Sequence, residues 1–128
     1  MSGMSEITER AARRLILDYT RDMALSDEDP AEIVDRTLTE DVIWRTDGTE
    51  LDRVQLIAHA APSRKNVTAV DVRIGDLLVD GRRFAAHCHL AAEHRKLGPV
   101  AIEWIMIGSV ADDGRVRRIH QLARTPKS

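Results

Sequence analysis

The sequence has very little cysteine, and it lacks any long apolar run. Cys88 is the only cysteine, so no disulfide can form within the chain. No apolar run approaches the ~20 residues of a membrane span, and the start of the chain does not resemble a signal peptide. We therefore expect a cytoplasmic protein with no membrane partner. Glycine-rich nucleotide loops, serine-nucleophile elbows and zinc-type cysteine pairs are also lacking, which removes those classes of site.

Charge of one sign is not concentrated anywhere in the chain. Nineteen Lys and Arg residues are interleaved with 21 Asp and Glu residues, for a net charge of −2. A nucleic-acid interface requires a basic patch or stripe, so no nucleic-acid partner is expected. The length of 128 residues, 43% of them hydrophobic, is sufficient for one domain over residues 1–128 with a core of its own.

The second half of the chain predicts one sheet of long antiparallel strands. Turn signals at Asp80-Gly81, Lys96–Pro99 and Asp112–Gly114 separate the strands from one another. The predicted strands are Val67–Val79, Arg83–Arg95, Val100–Ala111 and Arg115–Arg124. At about 3.3 Å per residue each approaches ~40 Å, so the sheet must twist and curl, and its concave face needs a cover.

The first half of the chain predicts the cover. A helix capped by Ser5 runs to Leu25, with an apolar stripe that recurs every four residues at Ile7, Ala11, Leu15, Tyr19 and Met23. A second helix begins at Pro30, capped by Asp29. Asp41–Thr46 reads as a short strand. A third helix begins after a capping box at Asp52 and ends at Pro62, before a polar link at Ser63–Asn66.

This order of elements predicts an α+β fold. A curved antiparallel sheet of four long strands plus a short strand would be covered by three helices on one side. The pattern resembles the nuclear transport factor 2-like superfamily, in its SnoaL-like and ketosteroid-isomerase-like branch. The resemblance is carried by Thr39–Trp44, by the helix that begins near Asp52, and by the hairpin through Asp112–Val116.

The resemblance implies a cone-shaped α+β barrel around an apolar pocket that takes a hydrophobic small molecule without a cofactor. Family members isomerise, cyclise, dehydrate or hydrolyse their substrates, while others only bind or assemble, and many are homodimers through the outer face of the sheet. By alignment with the family, Trp44 is the pocket aromatic. Thr46 and Gln121 stand where catalytic members carry Asp. An amide cannot take up a proton, but Gln121 could hydrogen-bond a substrate oxygen.

Glu103 is the carboxylate that the resemblance would place in the pocket. Alternation puts Glu103 and Ile105 on one face of their strand, and Ile102, Trp104 and Met106 on the other. The pattern leaves open which face is covered, and in the alternative Glu103 points outward and pairs with an arginine across the sheet. The family alignment turns Glu103 inward, where desolvation would raise its pKa towards the range of a general acid or base. The same alignment adds Cys88, Leu90, Ile105, Ile119, Gln121 and Ala123 to the pocket.

The histidines suggest a metal site instead. His87, His89 and Glu93 follow Gly81 at a spacing that resembles the first metal motif of cupins, with His120 as a distant fourth ligand. Imidazoles and a carboxylate suit a first-row metal. In the alternative, His87 and His89 lie on the outer face, at a dimer interface or in water. His59, on the third helix, could reach the mouth of the pocket, but it is expected to be half-exposed instead. Cys88 is expected to be a small buried hydrophobe.

Three hypotheses follow. The first is a pocket protein that binds a hydrophobic molecule and acts on it through Glu103. The second is a non-catalytic binding or dimerisation module, with Ile102, Trp104 and Met106 at the interface. The third is a metal-dependent enzyme that uses His87, His89 and Glu93.

Overall fold

The computed structural model describes residues 6–126, which form four helices and one six-stranded sheet. The helices are α1 (Glu9–Leu25), α2 (Pro30–Thr37), α3 (Arg53–Ala58) and α4 (Ala60–Asn66). The strands are β1 (Leu38–Thr46), β2 (Thr49–Leu51), β3 (Val67–Asp80), β4 (Arg83–His94), β5 (Gly98–Val110) and β6 (Val116–Arg124). The predicted α+β class and the turns between the long strands are confirmed.

The sheet has the order β2-β1-β6-β5-β4-β3. All neighbouring strands are antiparallel except β1 and β6, which pair in parallel, so the sheet is mixed rather than purely antiparallel. The predicted short strand begins three residues earlier than expected, at Leu38. Asp47 and Gly48 both adopt positive φ, 50° and 87°, and turn the chain into β2, a strand that the sequence analysis did not predict.

Local capping fixes where the helices start. Helix α1 begins at Glu9 because the Thr8 side chain accepts a hydrogen bond from the Ala11 amide at 3.0 Å. The predicted cap, Ser5, lies outside the described residues. Asp29 caps α2, with Pro30 in the first turn as predicted. The predicted capping box at Asp52 also forms, because the side chain and backbone amide of Asp52 bond reciprocally with those of Gln55.

The predicted third helix is two short helices that meet at His59. Pro62 does not end it, because Pro62 lies in the first turn of α4, where a missing backbone N–H costs nothing. The predicted polar link at Ser63–Asn66 is therefore helical. Arg64 of α4 donates hydrogen bonds to the carbonyl oxygens of Asp22 and Met23, which attaches this segment to the end of α1.

The core lies between the helices and the concave face of the sheet. The buried side of α1 is centred on Ala12, Ile16 and Met23. It is rotated by about one residue from the predicted stripe, and Ala11 of that stripe is therefore exposed. The long strands bury alternate side chains beneath the helices. On β4, β5 and β6 these are Phe84, Ala86, Cys88, Trp104, Met106, Val116 and Ile119.

This alternation overturns two placements made from the sequence. Ile105 is 57% exposed and lies with Glu103 on the outer face, whereas the Trp104 side of β5 is inward. The prediction that the side chains of Glu103 and Ile105 point into the pocket is therefore wrong. The prediction that Ile102, Trp104 and Met106 form an interface on the outer face is wrong as well. The physical reason is the two-residue period of a strand, by which an offset of one residue exchanges the faces.

Candidate functional site

A cavity of about 430 Å³ lies between helices α1 and α4 and the concave face of the sheet. This volume falls within the range typical of small-molecule sites. Its walls are largely apolar and come from eight elements, which are α1, α2, α4, β1, β3, β4, β5 and β6. The apolar lining includes Leu15, Ile16, Met23, Trp44, Leu90, Val100, Ile102, Trp104, Met106, Ile119 and Ala123.

The structure brings some of the predicted pocket residues together and separates others. Trp44, Leu90, Ile119 and Gln121 line the cavity, and Ala123 joins them. Cys88 faces the same side of the sheet, fully buried, but it does not line the cavity. Thr46 also lies outside the lining, although it pairs with Gln121 in the parallel ladder.

Tyr19 and Trp44 form an aromatic pair in the cavity wall. Their ring centroids are 5.5 Å apart and their planes differ by 26°. Burial raises the pKa of the Tyr19 hydroxyl well above its ordinary value, so this phenol is neutral at physiological pH. The pair therefore presents a large, uncharged aromatic surface to anything held in the cavity.

Trp104 places an unsatisfied hydrogen-bond donor in the same wall. Its side chain is 7% exposed, and Nε1–H is buried without a hydrogen-bond partner among residues 6–126. Leaving a buried donor unpaired costs about 1–3 kcal/mol, and native proteins seldom leave one without a reason. Trp104 is also one of the residues that line the cavity.

Two histidines belong to the lining, together with Ser63 of α4. His59 lies at the junction of α3 and α4, where it is exposed and also lines the cavity, so the two placements considered from the sequence occur together. The Nδ1 atom of His94 accepts hydrogen bonds from the backbone amides of Lys96 and Leu97, at 3.1 and 3.2 Å. Because Nδ1 is an acceptor, the proton of the neutral His94 ring is on Nε2, which makes Nε2 a donor.

Carboxylates are not part of this cavity. Within the described part of the chain, no Asp or Glu lines it. Its titratable side chains are those of Tyr19, His59 and His94. Gln121 stands at the position where the family resemblance would place an acid. Burial raises the pKa of the Cys88 thiol to about 11, so Cys88 is protonated near neutral pH and is not an activated nucleophile.

A separate polar cluster occupies the outer face of the sheet. His87 and Glu103 are joined by a 2.5 Å hydrogen bond between Nε2 and Oε2, and His89 Nε2 lies 3.6 Å from the same oxygen. Arg124 donates from Nε to the other carboxylate oxygen at 2.8 Å. These bonds hold the pKa of Glu103 below its ordinary value, with the His87 bond as the larger cause and the Arg124 bond next.

The sequence analysis anticipated this cluster only in part. The alternative in which Glu103 points outward and pairs with an arginine is the observed one, with Arg124 as that arginine. The predicted metal ligands included Glu93. Glu93 pairs with Pro99 next to the turn between β4 and β5, and it is absent from the His87, His89 and Glu103 group. His120 lies opposite Ile107 and is likewise not a member.

Comparison with solved structures identifies the fold. A SnoaL-like polyketide cyclase, so classed provisionally, from Shewanella denitrificans superposes with a TM-score of 0.70 at 14% identity, over 88% of this chain and 89% of that one. The BvnE pinacolase of Penicillium brevicompactum gives a TM-score of 0.67 at 18% identity, covering 94% and 90%. An NTF-2-like protein of unknown function from Silicibacter pomeroyi gives 0.63 at 16% identity, covering 91% and 94%.

The chain is a cone-shaped α+β fold that encloses a largely apolar cavity. It has the nuclear transport factor 2-like fold, so the fold that the resemblance implied is confirmed. No family model matches the sequence. No curated protein matches it either. At these identities the likeness establishes the fold and leaves the activity open.

Proposed function

We propose that this protein binds a hydrophobic small molecule that carries a hydrogen-bond acceptor, such as a ketone oxygen, in the cavity beside Trp104. The observation that carries the proposal is the buried Nε1–H of Trp104, which lines the cavity and has no partner among the described residues. A ligand oxygen that accepted this hydrogen bond would remove the cost of the unpaired donor. The aromatic surface of Tyr19 and Trp44 would supply apolar contact.

The composition of the cavity wall supports the same ligand class. Among the described residues the lining has no carboxylate that could pair with a cationic ligand, and a mostly apolar wall favours ring systems and hydrocarbon. Gln121 and the Nε2–H of His94 add polar groups that could orient oxygens on the ligand. Few polar groups in a mostly apolar wall are typical of sites that recognise hydrophobic molecules with one or two oxygens.

The proposal extends from binding to acid–base catalysis on the bound molecule. The resemblance implies isomerisation, cyclisation or hydrolysis, and the superposed structures include a pinacolase and a provisional cyclase. In this cavity such chemistry would use His59 or His94, because Glu103 lies on the opposite face of the sheet. His94 as observed is a donor at Nε2, so its role would be to polarise a ligand oxygen rather than to abstract a proton.

The second candidate is a homodimerisation module, and a specific feature of the outer face favours it. Ile105 and Leu122 are cross-strand partners there, and Ile107 lies two residues along from Ile105. Their exposures are 57%, 63% and 57%, and Leu78, at 71%, extends this apolar area onto β3. Adjacent charges of both signs, on Asp76 and Arg124, would allow a two-fold copy to match the surface to itself. Dimerisation through this face is compatible with ligand binding on the other.

No helix among residues 6–126 is long and apolar enough to cross a membrane. A cytoplasmic location remains part of the proposal and rests on the sequence alone.

A matched pair of ligands tests the binding proposal. Polycyclic ketones and the parent hydrocarbons without the oxygen would be titrated against the protein, with tryptophan fluorescence and thermal stability as readouts. The ketone should bind about tenfold more tightly, since one hydrogen bond contributes about 1.4 kcal/mol. Trp104→Phe should remove the advantage of the ketone and leave hydrocarbon binding nearly unchanged. Equal binding of both ligands by the wild type would rule out the donor role, and no binding of either would rule out the pocket.

Val54→Ala provides a matched control for these titrations. Val54 is 71% exposed on α3 and is not part of the cavity lining. This variant should keep the wild-type preference for the ketone. If it loses that preference as Trp104→Phe does, the loss reflects general destabilisation and not the missing donor.

A further inference from the structure

We infer that His87, His89 and Glu103 form a binding site for a divalent first-row transition metal, such as Zn²⁺, on the outer face of the sheet. Each residue offers one ligand atom, and the three atoms lie within 4.8 Å of one another. Two imidazoles and one carboxylate are a donor set suited to Zn²⁺ and its neighbours. The site is on the opposite face from the cavity, so it does not depend on the function proposed for the cavity.

Strand geometry brings the three ligands together. His87 and His89 alternate on β4 and therefore project from the same face. Glu103 of β5 is the direct cross-strand partner of His89, and it lies diagonally from His87. The two imidazole rings have centroids 4.8 Å apart and planes at 59°. The three donors thus converge on one point without any backbone rearrangement.

The distances are close to those that a tetrahedral ion imposes. Bonds of about 2.1 Å to zinc place neighbouring donor atoms about 3.4 Å apart. The separation between His89 Nε2 and Glu103 Oε2 is already 3.6 Å. His87 Nε2 and Glu103 Oε2, now hydrogen-bonded at 2.5 Å, would have to move apart by about 0.9 Å. Side-chain rotation can supply a shift of that size when the ion replaces the shared proton.

Groups around the ligands would orient them. Arg124 holds the second oxygen of Glu103 at 2.8 Å and leaves Oε2 for the ion. Asp76 lies 3.8 Å from Nδ1 of His87, the ring nitrogen that would not bind the ion. A carboxylate that accepts a hydrogen bond from the remote nitrogen of a metal-bound histidine fixes the ring and raises its basicity, and a closer approach of Asp76 from 3.8 Å would make that bond. Arg73, the partner of His89 on β3, adds positive charge near the site and opposes cation binding to some extent.

A β-bulge at Gly75 creates the position of Asp76. The pairing of β3 with β4 shifts between Ile74 and Asp76, which leaves Gly75 as the extra residue. Asp76 therefore lies opposite His87 on the outer face, where regular pairing would place Gly75. Bulges commonly aim side chains at functional sites. Partial exposure, 31% for His87 and 44% for His89, leaves room for a water molecule as the fourth ligand.

Calorimetric titration of the EDTA-treated protein with ZnCl₂ tests the site. One ion per chain is expected, with a matching rise in thermal stability by mass action. His89→Ala and Glu103→Gln should each weaken binding by at least tenfold. Glu93→Gln is the matched control, because Glu93 lies on the same face of β4 outside the cluster, and it should bind as the wild type does. Titration with Co²⁺ should give a visible absorption band in the wild type that is lost in His89→Ala.

Three results would overturn the inference. They are no saturable binding by the wild type, equal losses in Glu93→Gln and Glu103→Gln, and binding that disappears when the protein is monomeric. The last is measured with Ile107→Asp, which is designed to disrupt the proposed dimer without altering a ligand. Retention of one ion per chain in that variant supports a site that is complete within one chain. Urea unfolding of each metal-free variant confirms that a loss of binding is not a loss of folding.

Discussion

Tyr19 of α1 stacks on Trp44 of β1, with ring centroids 5.5 Å apart. This contact joins the first helix to β1, the strand that pairs with β6. We expect an interaction energy of about 1 kcal/mol between the two rings beyond their burial. A double-mutant cycle with Tyr19→Leu, Trp44→Leu and the pair, followed by urea unfolding, measures this energy. Additive losses would mean that the two rings contribute independently. Tyr19→Phe, which keeps the ring, should remain within about 1 kcal/mol of the wild type.

Gly108 of β5 should not tolerate a side chain. A Cβ atom there would lie 2.7 Å from Phe84 Cε1 and 2.8 Å from Ile119 Cδ1, and both of those residues are almost fully buried. Gly108→Ala should therefore lower the free energy of unfolding by about 1–3 kcal/mol, as measured in urea.

Gly75→Ala is the control for Gly108→Ala. A Cβ atom at Gly75 meets nothing closer than the His87 carbonyl oxygen at 3.6 Å, which is an ordinary contact. We expect a much smaller change in stability for this variant. Equal losses at the two glycines would show that packing against Phe84 is not the cause.

Glu103 should make the stability of the protein fall as the pH is lowered into the acid range. Its hydrogen bonds with His87 and Arg124 lower its pKa in the folded state. Because the pKa is lowered on folding, the stabilisation is fully present above the pKa of Glu in the unfolded chain, about 4.3. It is lost as the pH falls through the pKa of Glu103 in the folded protein. In metal-free buffer, the difference in stability between wild type and Glu103→Gln should therefore shrink as the pH falls below about 4.

The measurement for Glu103 is urea unfolding at several values between about pH 2 and pH 6. Glu28, Asp41 and Asp113 also have pKa values lowered by hydrogen bonds, so the wild type alone will lose stability in acid. Only the difference from Glu103→Gln isolates the one group. A difference that stays constant across this range would contradict the assignment.

The outer sheet face should govern self-association. Ile107→Asp places a charge in the exposed apolar area and should convert a dimer, of twice the 14.4 kDa chain mass, into a monomer in light scattering. Leu97→Asp adds the same charge at an exposed leucine outside that face and should leave the mass unchanged. A monomeric wild type would remove the dimer proposal and leave the pocket proposal intact.

Much of the architecture was predictable because its causes are local. Turns at Gly81, Gly98 and Gly114 follow from positive φ values of 62°, 75° and 89°, which glycine adopts without strain. Capping at Asp29 and Asp52 follows from side chains that reach amides two or three residues away. Strand β2 and the parallel pairing of β1 with β6 were not predicted, because β6 follows β1 by about 70 residues and no sequence period encodes contact over that distance.

The register of the hairpin decides which side chains of β4 and β5 share a face. His94 pairs with Gly98 across the turn, and an antiparallel register that starts there makes Cys88 the partner of Trp104. Directly opposed residues share a face, so an inward Cys88 requires an inward Trp104 and an outward Glu103. The family alignment placed Cys88 and Glu103 on the same face, which this register does not allow.

The sequence by itself determined the elements, their turns and their alternation, since each depends on residues that are neighbours along the chain. Only the tertiary structure decided which face of the sheet the helices cover, and this placed Trp104 and Tyr19 at the cavity. It also decided that Glu103, and not Glu93, meets His87 and His89. Both outcomes depend on cross-strand register and on a bulge at Gly75, where a shift of one residue moves a side chain to the other face.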